Sequence, residues 1–159
     1  MTEKNHEYWM SVAIREAHHN VLNTEGGPFG AIVVKDGEII GRGRNLVTSR
    51  NDPTAHAEVQ AIREACQHLN HYQLEGCTIY TSCEPCPMCI GAIYWSRPDA
   101  VYYACTQQDA ANIGFDDKFI YDEIALPMEK RSIPMQQLHM DERLLPFQAW
   151  TTSTGKIEY

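Results

Sequence analysis

TSCEPCPMC, residues 81–89, puts three cysteines and two prolines into nine positions. Neither a helix nor a strand favours such a run for its own sake. The overlapping segment CPMCIGAIYW (86–95) reads as a helix with Cys86 as its cap and Pro87 in the first turn, the place where a helix tolerates proline best. Cys86 and Cys89 then stand at i and i+3 and share a face. The positive end of the helix lowers thiol pKa values there, so two thiolates can grip one ion. Cys83 lies upstream of the cap with a different geometry and reads as a small buried residue.

Working outward, CTIYTS (77–82) reads as a short buried strand and DPTAHAEVQAIREACQHL (52–69) as a helix with Thr54 as N-cap. AIVVKDGEIIGRGRN (31–45) reads as two strands around Lys35, Asp36 and Gly37, because Asp-Gly between β-branched runs is a strong hairpin signal. Tyr8, Val12, Ala13, Ala17 and Val21 recur at helical period and stop at the breaker cluster NTEGGPFG (23–30). Downstream, DAVYYAC (99–105) predicts a strand and DDKFIYDEIAL (116–126) a helix. RSIPMQQLHM (131–140) predicts a strand demoted to an edge by Pro134. The end, RLLPFQAWTTSTGKIEY (143–159), predicts a short helix and then an extended segment. A hairpin followed by alternating helices and strands implies a three-layer α/β/α sandwich with a central mixed β-sheet, in a single domain over 1–159.

At 159 residues the chain is long enough for a real core, hiding roughly 68–70% of its unfolded surface. Its formal net charge is −8, from 13 Lys and Arg against 21 Asp and Glu, with no basic run. Phosphate neutralisation by basic residues supplies most non-specific nucleic-acid affinity, so no nucleic-acid partner is expected. A small, roughly neutral substrate fits better. No apolar run approaches the ~20 residues of a membrane span, and the N-terminus lacks an apolar secretory core. The expected location is cytoplasmic, where clustered cysteines read as metal-binding or catalytic before disulfide-forming.

Two sulfurs do not complete a metal site. PTAHAEVQ (53–60) supplies His56 at a helix start and Glu58 two residues on. His56, Cys86 and Cys89 are a donor set that suits zinc, and a catalytic zinc keeps three protein ligands with a fourth position for water. With Cys83 as a fourth ligand the site would be closed, and the chain a non-catalytic, zinc-stabilised binding module. On a regular helix His56 and Glu58 would point about 200° apart, though a first turn is freer. Glu58 also suits a helix N-terminus as a dipole partner. Cys66, Cys77 and Cys105 read as core sulfurs, and His18, His19, His68 and His71 as helix-end residues.

HAE followed by PCPMC resembles the H-x-E…P-C-x-x-C signature of the zinc-dependent cytidine/deoxycytidylate deaminase superfamily. GGPFGAIVVKDG, NDPTAHAEV, YTSCEPCPMCIGAIYW, GFDDKFIY and PFQAW…EY extend the resemblance to nearly the whole chain, towards the bacterial guanine deaminase family within it. The resemblance implies one Zn²⁺ per subunit on His56, Cys86 and Cys89, with Glu58 as the catalytic proton shuttle. It implies hydrolysis of guanine to xanthine and ammonia, from a purine base and water. Deamination of another nucleobase, a nucleoside or an aminotriazine is the alternative. It raises Asn45, Phe29, Ala57 (through its backbone N–H), Asp117 and Trp95 as substrate contacts. A turn role for Asn45, core packing for Phe29 and Trp95, and a helix-capping role for Asp117 compete with these. It further implies a homodimer that exchanges its C-terminal segment, about 143–159, so that Tyr159 closes the partner's site. Glu142 is a minor candidate for a second proton-handling carboxylate.

Overall fold

The computed structural model describes residues 5–159. They form two compact units, one running up to Phe119 and the other comprising Ile120–Tyr159.

In the first unit, helix α1 (His6–Leu22) is capped by Asn5, whose side chain accepts from the Tyr8 amide. Strands β1 (Gly30–Lys35) and β2 (Glu38–Arg44) form the hairpin. Asp36 and Gly37 turn it with φ of 50° and 75°, the left-handed pair that matches strand twist. A four-residue helix α2 (Val47–Arg50) and helix α3 (Ala57–Leu69) come next, then β3 (Cys77–Cys83), α4 (Pro87–Ser96), β4 (Ala100–Cys105) and α5 (Gln107–Asn112).

The sheet has the order β2-β1-β3-β4. β1 is antiparallel to both β2 and β3, while β3 and β4 run parallel, so the sheet is mixed as expected. Side-chain alternation along β1 builds the layers. Ile32 and Val34 pack with Trp9, Val12 and Ala13 of α1 and with Tyr80. Ala31 and Val33 face the other way, onto Ala57, Ala61 and Ala65 of α3, Ile93 of α4, and Ile79. Gly43 lets β2 lie directly on α3, because a Cβ there would collide with the Ala57 carbonyl. That contact fixes the N-terminal end of α3, where His56 and Glu58 sit. The parallel step from β3 to β4 passes through α4, so the cysteine run lies at the carboxyl end of β3, where ligands bind in open α/β sheets.

In the second unit, most of helix α6 (Lys118–Ala125) leads to a 3₁₀ turn at Met128–Lys130, another at Asp141–Leu144, and helix α7 (Leu145–Thr152). The expected strand over 131–140 is absent. Arg131 and Ser132 finish α6 instead: the Arg131 guanidinium donates to the carbonyls of Glu123 and Ile124, and Ser132 donates to the Glu123 carboxylate. Pro134 then removes a ladder donor. Two local readings also change. Asp52 accepts from both the amide and hydroxyl of Thr54, which leaves His56 as the N-cap of α3. Cys105 is exposed rather than a core sulfur.

Candidate active site

His56 and Cys86 occupy the same structural position on two helices. His56 is the N-cap of α3 and Cys86 the N-cap of α4, both extended in backbone, and neither side chain makes a capping bond. Each is therefore free to point away from its own helix. This removes the angular problem of the His-x-Glu spacing: His56 stands off the helix, while Glu58 lies within its first turn. His56 Nδ1 lies 3.4 Å from Cys86 Sγ and 3.6 Å from Cys89 Sγ. The three ligand atoms lie within 4.8 Å of one another.

The cluster fits a zinc ion. Bonds of about 2.3 Å to sulfur and about 2.0–2.1 Å to nitrogen in a tetrahedron hold N and S roughly 3.6 Å apart. The electrostatics point the same way. Cys89 and His56, with opposition from burial, hold the Cys86 thiol down at about 4. Cys89 moves the other way, pushed up by its bond to Cys86, by burial and by the Glu58 charge. Its bond to Cys86 raises His56 despite burial. Two sulfurs and a carboxylate thus compete for protons in one buried space, a conflict that a dication resolves. Cys83 stands outside the cluster. Its Sγ lies 3.6 Å from the Thr106 carbonyl, and burial pushes its thiol up to about 12. The three-ligand set is the one the structure assembles.

Glu58 adjoins that set. It is only 6% exposed, and burial is the main force raising its carboxyl above the ordinary range. Its Oε2 lies 3.3 Å from Cys89 Sγ, and its Oε1 accepts from the Thr81 hydroxyl at 3.1 Å. Ala57, the first residue of α3, offers one of the helix's N–H groups that lack an intrahelical partner.

A second group of candidates gathers around Gly27. A Cβ on Gly27 would lie 3.4 Å from both Asn45 Cγ and Phe29 Cδ2, and 3.5 Å from Phe115 Cζ. Phe29 and Phe115 meet edge to face with centroids 5.0 Å apart. Asn45 is buried, and its Oδ1 accepts from the Val47 amide at 3.2 Å. Asp117 stands two residues beyond Phe115 and accepts from Gln107 at 2.8 Å.

Sequence reasoning passes over Phe115 and Asn20. Phe115 sits inside the GFDD motif, and that is its signal. Asn20 is fully buried and donates to the carbonyls of both Gly27 and Asn45 at 2.8 Å, pinning the loop to the residue that follows β2. An amide on the core side of a helical stripe is the available clue. Trp95 lies towards the far end of α4. It is 64% exposed, and six residues beyond Cys89 places it about 9 Å further along the α4 axis. Tyr159 and Glu142 belong to the second unit, where both are exposed.

Residues 3–105 match the family described as the cytidine and deoxycytidylate deaminase zinc-binding region. The chain is 58% identical to guanine deaminase from Bacillus subtilis (strain 168), over 98% of its own length and 99% of that protein's. The crystal structure of guanine deaminase from Bacillus subtilis superposes with a TM-score of 0.96, covering 98% of this chain and 99% of that one. A tRNA-specific adenosine deaminase from Aquifex aeolicus is 49% identical over 62% of this chain and 64% of its own.

Proposed function

The chain belongs to the cytidine and deoxycytidylate deaminase zinc-binding family, and on that premise we propose that it is a guanine deaminase, converting guanine and water to xanthine and ammonia. The observation that carries this reading is the end-to-end similarity to the Bacillus subtilis enzyme, joined to a three-donor cluster with a buried carboxylate beside it.

His56, Cys86 and Cys89 hold the zinc, which when bound lowers the pKa of a coordinated water from 15.7 towards about 7. Glu58 handles the protons. It accepts one from the attacking water as oxygen bonds to C2 and returns it to the adjacent ring nitrogen. It then carries the second proton of that water to the departing amine, which leaves as ammonia while C2 keeps the oxygen. General acid–base help of this kind is worth typically 10²–10⁴-fold. Burial suits the task, since it raises the carboxyl above its ordinary range and so makes it a stronger base towards the proton it must take up and return.

The base lies against Phe29, backed by Phe115. Because Asn45 Oδ1 already accepts from Val47, its Nδ2 is the group offered to a purine acceptor. Asp117 accepts from the ring N–H, and the Ala57 N–H supplies a further donor.

Ammonia release from guanine, adenine, cytosine and their nucleosides tests the proposal. Turnover is expected with guanine; turnover of cytosine without guanine contradicts it. The similarity to a tRNA-specific adenosine deaminase favours one rival substrate, but a net charge of −8 opposes binding a polyanion.

We also infer a single functional domain that forms a cytoplasmic homodimer by exchanging about residues 143–159. No residue of 120–159 is buried within its own chain, and Phe147, Trp150, Ile157 and Tyr159 are all exposed, which supports a role in covering another subunit. Six free cysteines support a reducing compartment. Among the described residues no helix is long and apolar enough to cross a membrane. Deleting the residues after Thr154 should damage turnover more than folding.

A further inference from the structure

We infer that Gln107 is a positioning residue, which holds the Asp117 carboxylate as an acceptor for the N–H edge of the base. This rests on the proposed function. Gln107 Nε2 donates to Asp117 Oδ1 at 2.8 Å in a half-buried setting. The backbone N–H of the same residue donates to Glu84 Oε2 at 2.8 Å, and the N–H of Glu84 donates to the Cys105 carbonyl at 2.8 Å. Gln107 is also the first residue of α5, whose start is locked by reciprocal bonds between Thr106 and Asp109. One residue therefore ties Asp117 to Glu84, which stands two positions before the ligand Cys86.

The segment carrying Asp117 needs such a tie. It comes after Gly114, which turns the chain at φ 94°, and it has no regular structure of its own until α6. The terminal torsion of an aspartate is broad and roughly two-fold, so an unheld carboxylate samples many orientations. A primary amide nitrogen is donor-only, so the oxygen it meets is fixed as an acceptor, with most of the carboxylate's lone-pair sites left over. Guanine presents a ring N–H beside its reacting amine, which such a carboxylate accepts. Adenine presents a ring nitrogen lone pair beside its amine, which the carboxylate repels. Gln107 thereby sharpens the choice of base without touching it.

The test is a double-mutant cycle on zinc-loaded full-length protein, reading KM and kcat for guanine alongside zinc content. Gln107→Leu is expected to raise KM about tenfold while kcat stays within about twofold, the pattern of lost uniform binding. Gln107→Glu keeps the shape but not the donor, and must show at least the same rise; this separates positioning from packing. In an Asp117→Ala background, Gln107→Leu should change nothing further. A normal KM in Gln107→Leu, or effects of the two substitutions that multiply, overturns the inference while Asp117 keeps its place. If Asp117→Ala alone leaves KM unchanged, the assignment of Asp117 fails and this inference falls with it.

Discussion

The hydroxyl of Thr81 lies 3.1 Å from Oε1 of Glu58 and equally 3.1 Å from the carbonyl oxygen of Cys83, and Thr81 is 1% exposed. One hydrogen serves two acceptors. Thr81 sits near the end of β3, just before the cysteine run, so the strand that leads to the metal ligands also steadies the carboxylate. Thr81→Val removes that donor in a water-poor setting, where a bond to a charged group is worth roughly 1.5–3 kcal/mol. Turnover should fall at least about tenfold with zinc content intact, and Thr81→Ser should recover most of it. Wild-type kcat in Thr81→Val would exclude a role for the contact.

The second prediction concerns the metal count. Cys83 bonds to Thr106 rather than to the cluster, so Cys83→Ser should keep one zinc per chain. Cys86→Ser should lose it, because a hydroxyl replaces a thiolate ligand. Metal analysis of the two purified variants distinguishes them. Equal zinc loss in both would restore the closed, structural site.

The third is a pH dependence of stability. Glu16 meets Arg42 and Arg44, each at 2.7 Å, joining α1 to β2. Burial pushes its carboxyl up, but the bonds and charges of Arg44 and Arg42 outweigh this and hold it below its ordinary 4.5. A depressed folded value means the stability is fully present above the unfolded value. It drains away as pH falls through the folded one. Urea midpoints for the wild type and Glu16→Gln should therefore differ at neutral pH and draw together as pH falls below 4.5 and on through the depressed folded value. Parallel curves down to strong acid would show that the triad contributes nothing.

The fourth tests the platform under the site. Gly43→Ala forces a methyl against the Ala57 carbonyl and the Ala61 amide. Overpacking of this kind costs about 1–3 kcal/mol, and here it should displace the start of α3 and with it His56. A lowered denaturation midpoint together with weakened zinc retention is expected. A midpoint equal to the wild type's would mean β2 and α3 separate without penalty.

Much of this architecture is legible in the sequence because its signals are local. Asp36-Gly37 announces the hairpin, Pro87 after Cys86 announces the start of α4, and alternation along β1 announces two buried faces. The metal ligands are legible for the same reason: Cys86 and Cys89 share one turn, and His56 begins a helix. What escapes depends on contacts between distant segments. Asn20 serves a loop and the residue just after β2, both beyond its own helix. Phe115 meets Phe29, far away along the chain. The strand expected over 131–140 fails because Arg131 and Ser132 are drawn back to cap α6, a competition invisible to alternation.

The most direct measurement is zinc content and ammonia release from guanine on the same preparations of wild type and Glu58→Gln. The variant should hold one zinc per chain, since Glu58 is not among the three clustered donors. Its turnover should drop by about 10²–10⁴-fold. A variant that retains its metal and still releases ammonia at the wild-type rate would contradict the account, because the buried carboxylate would then carry no protons.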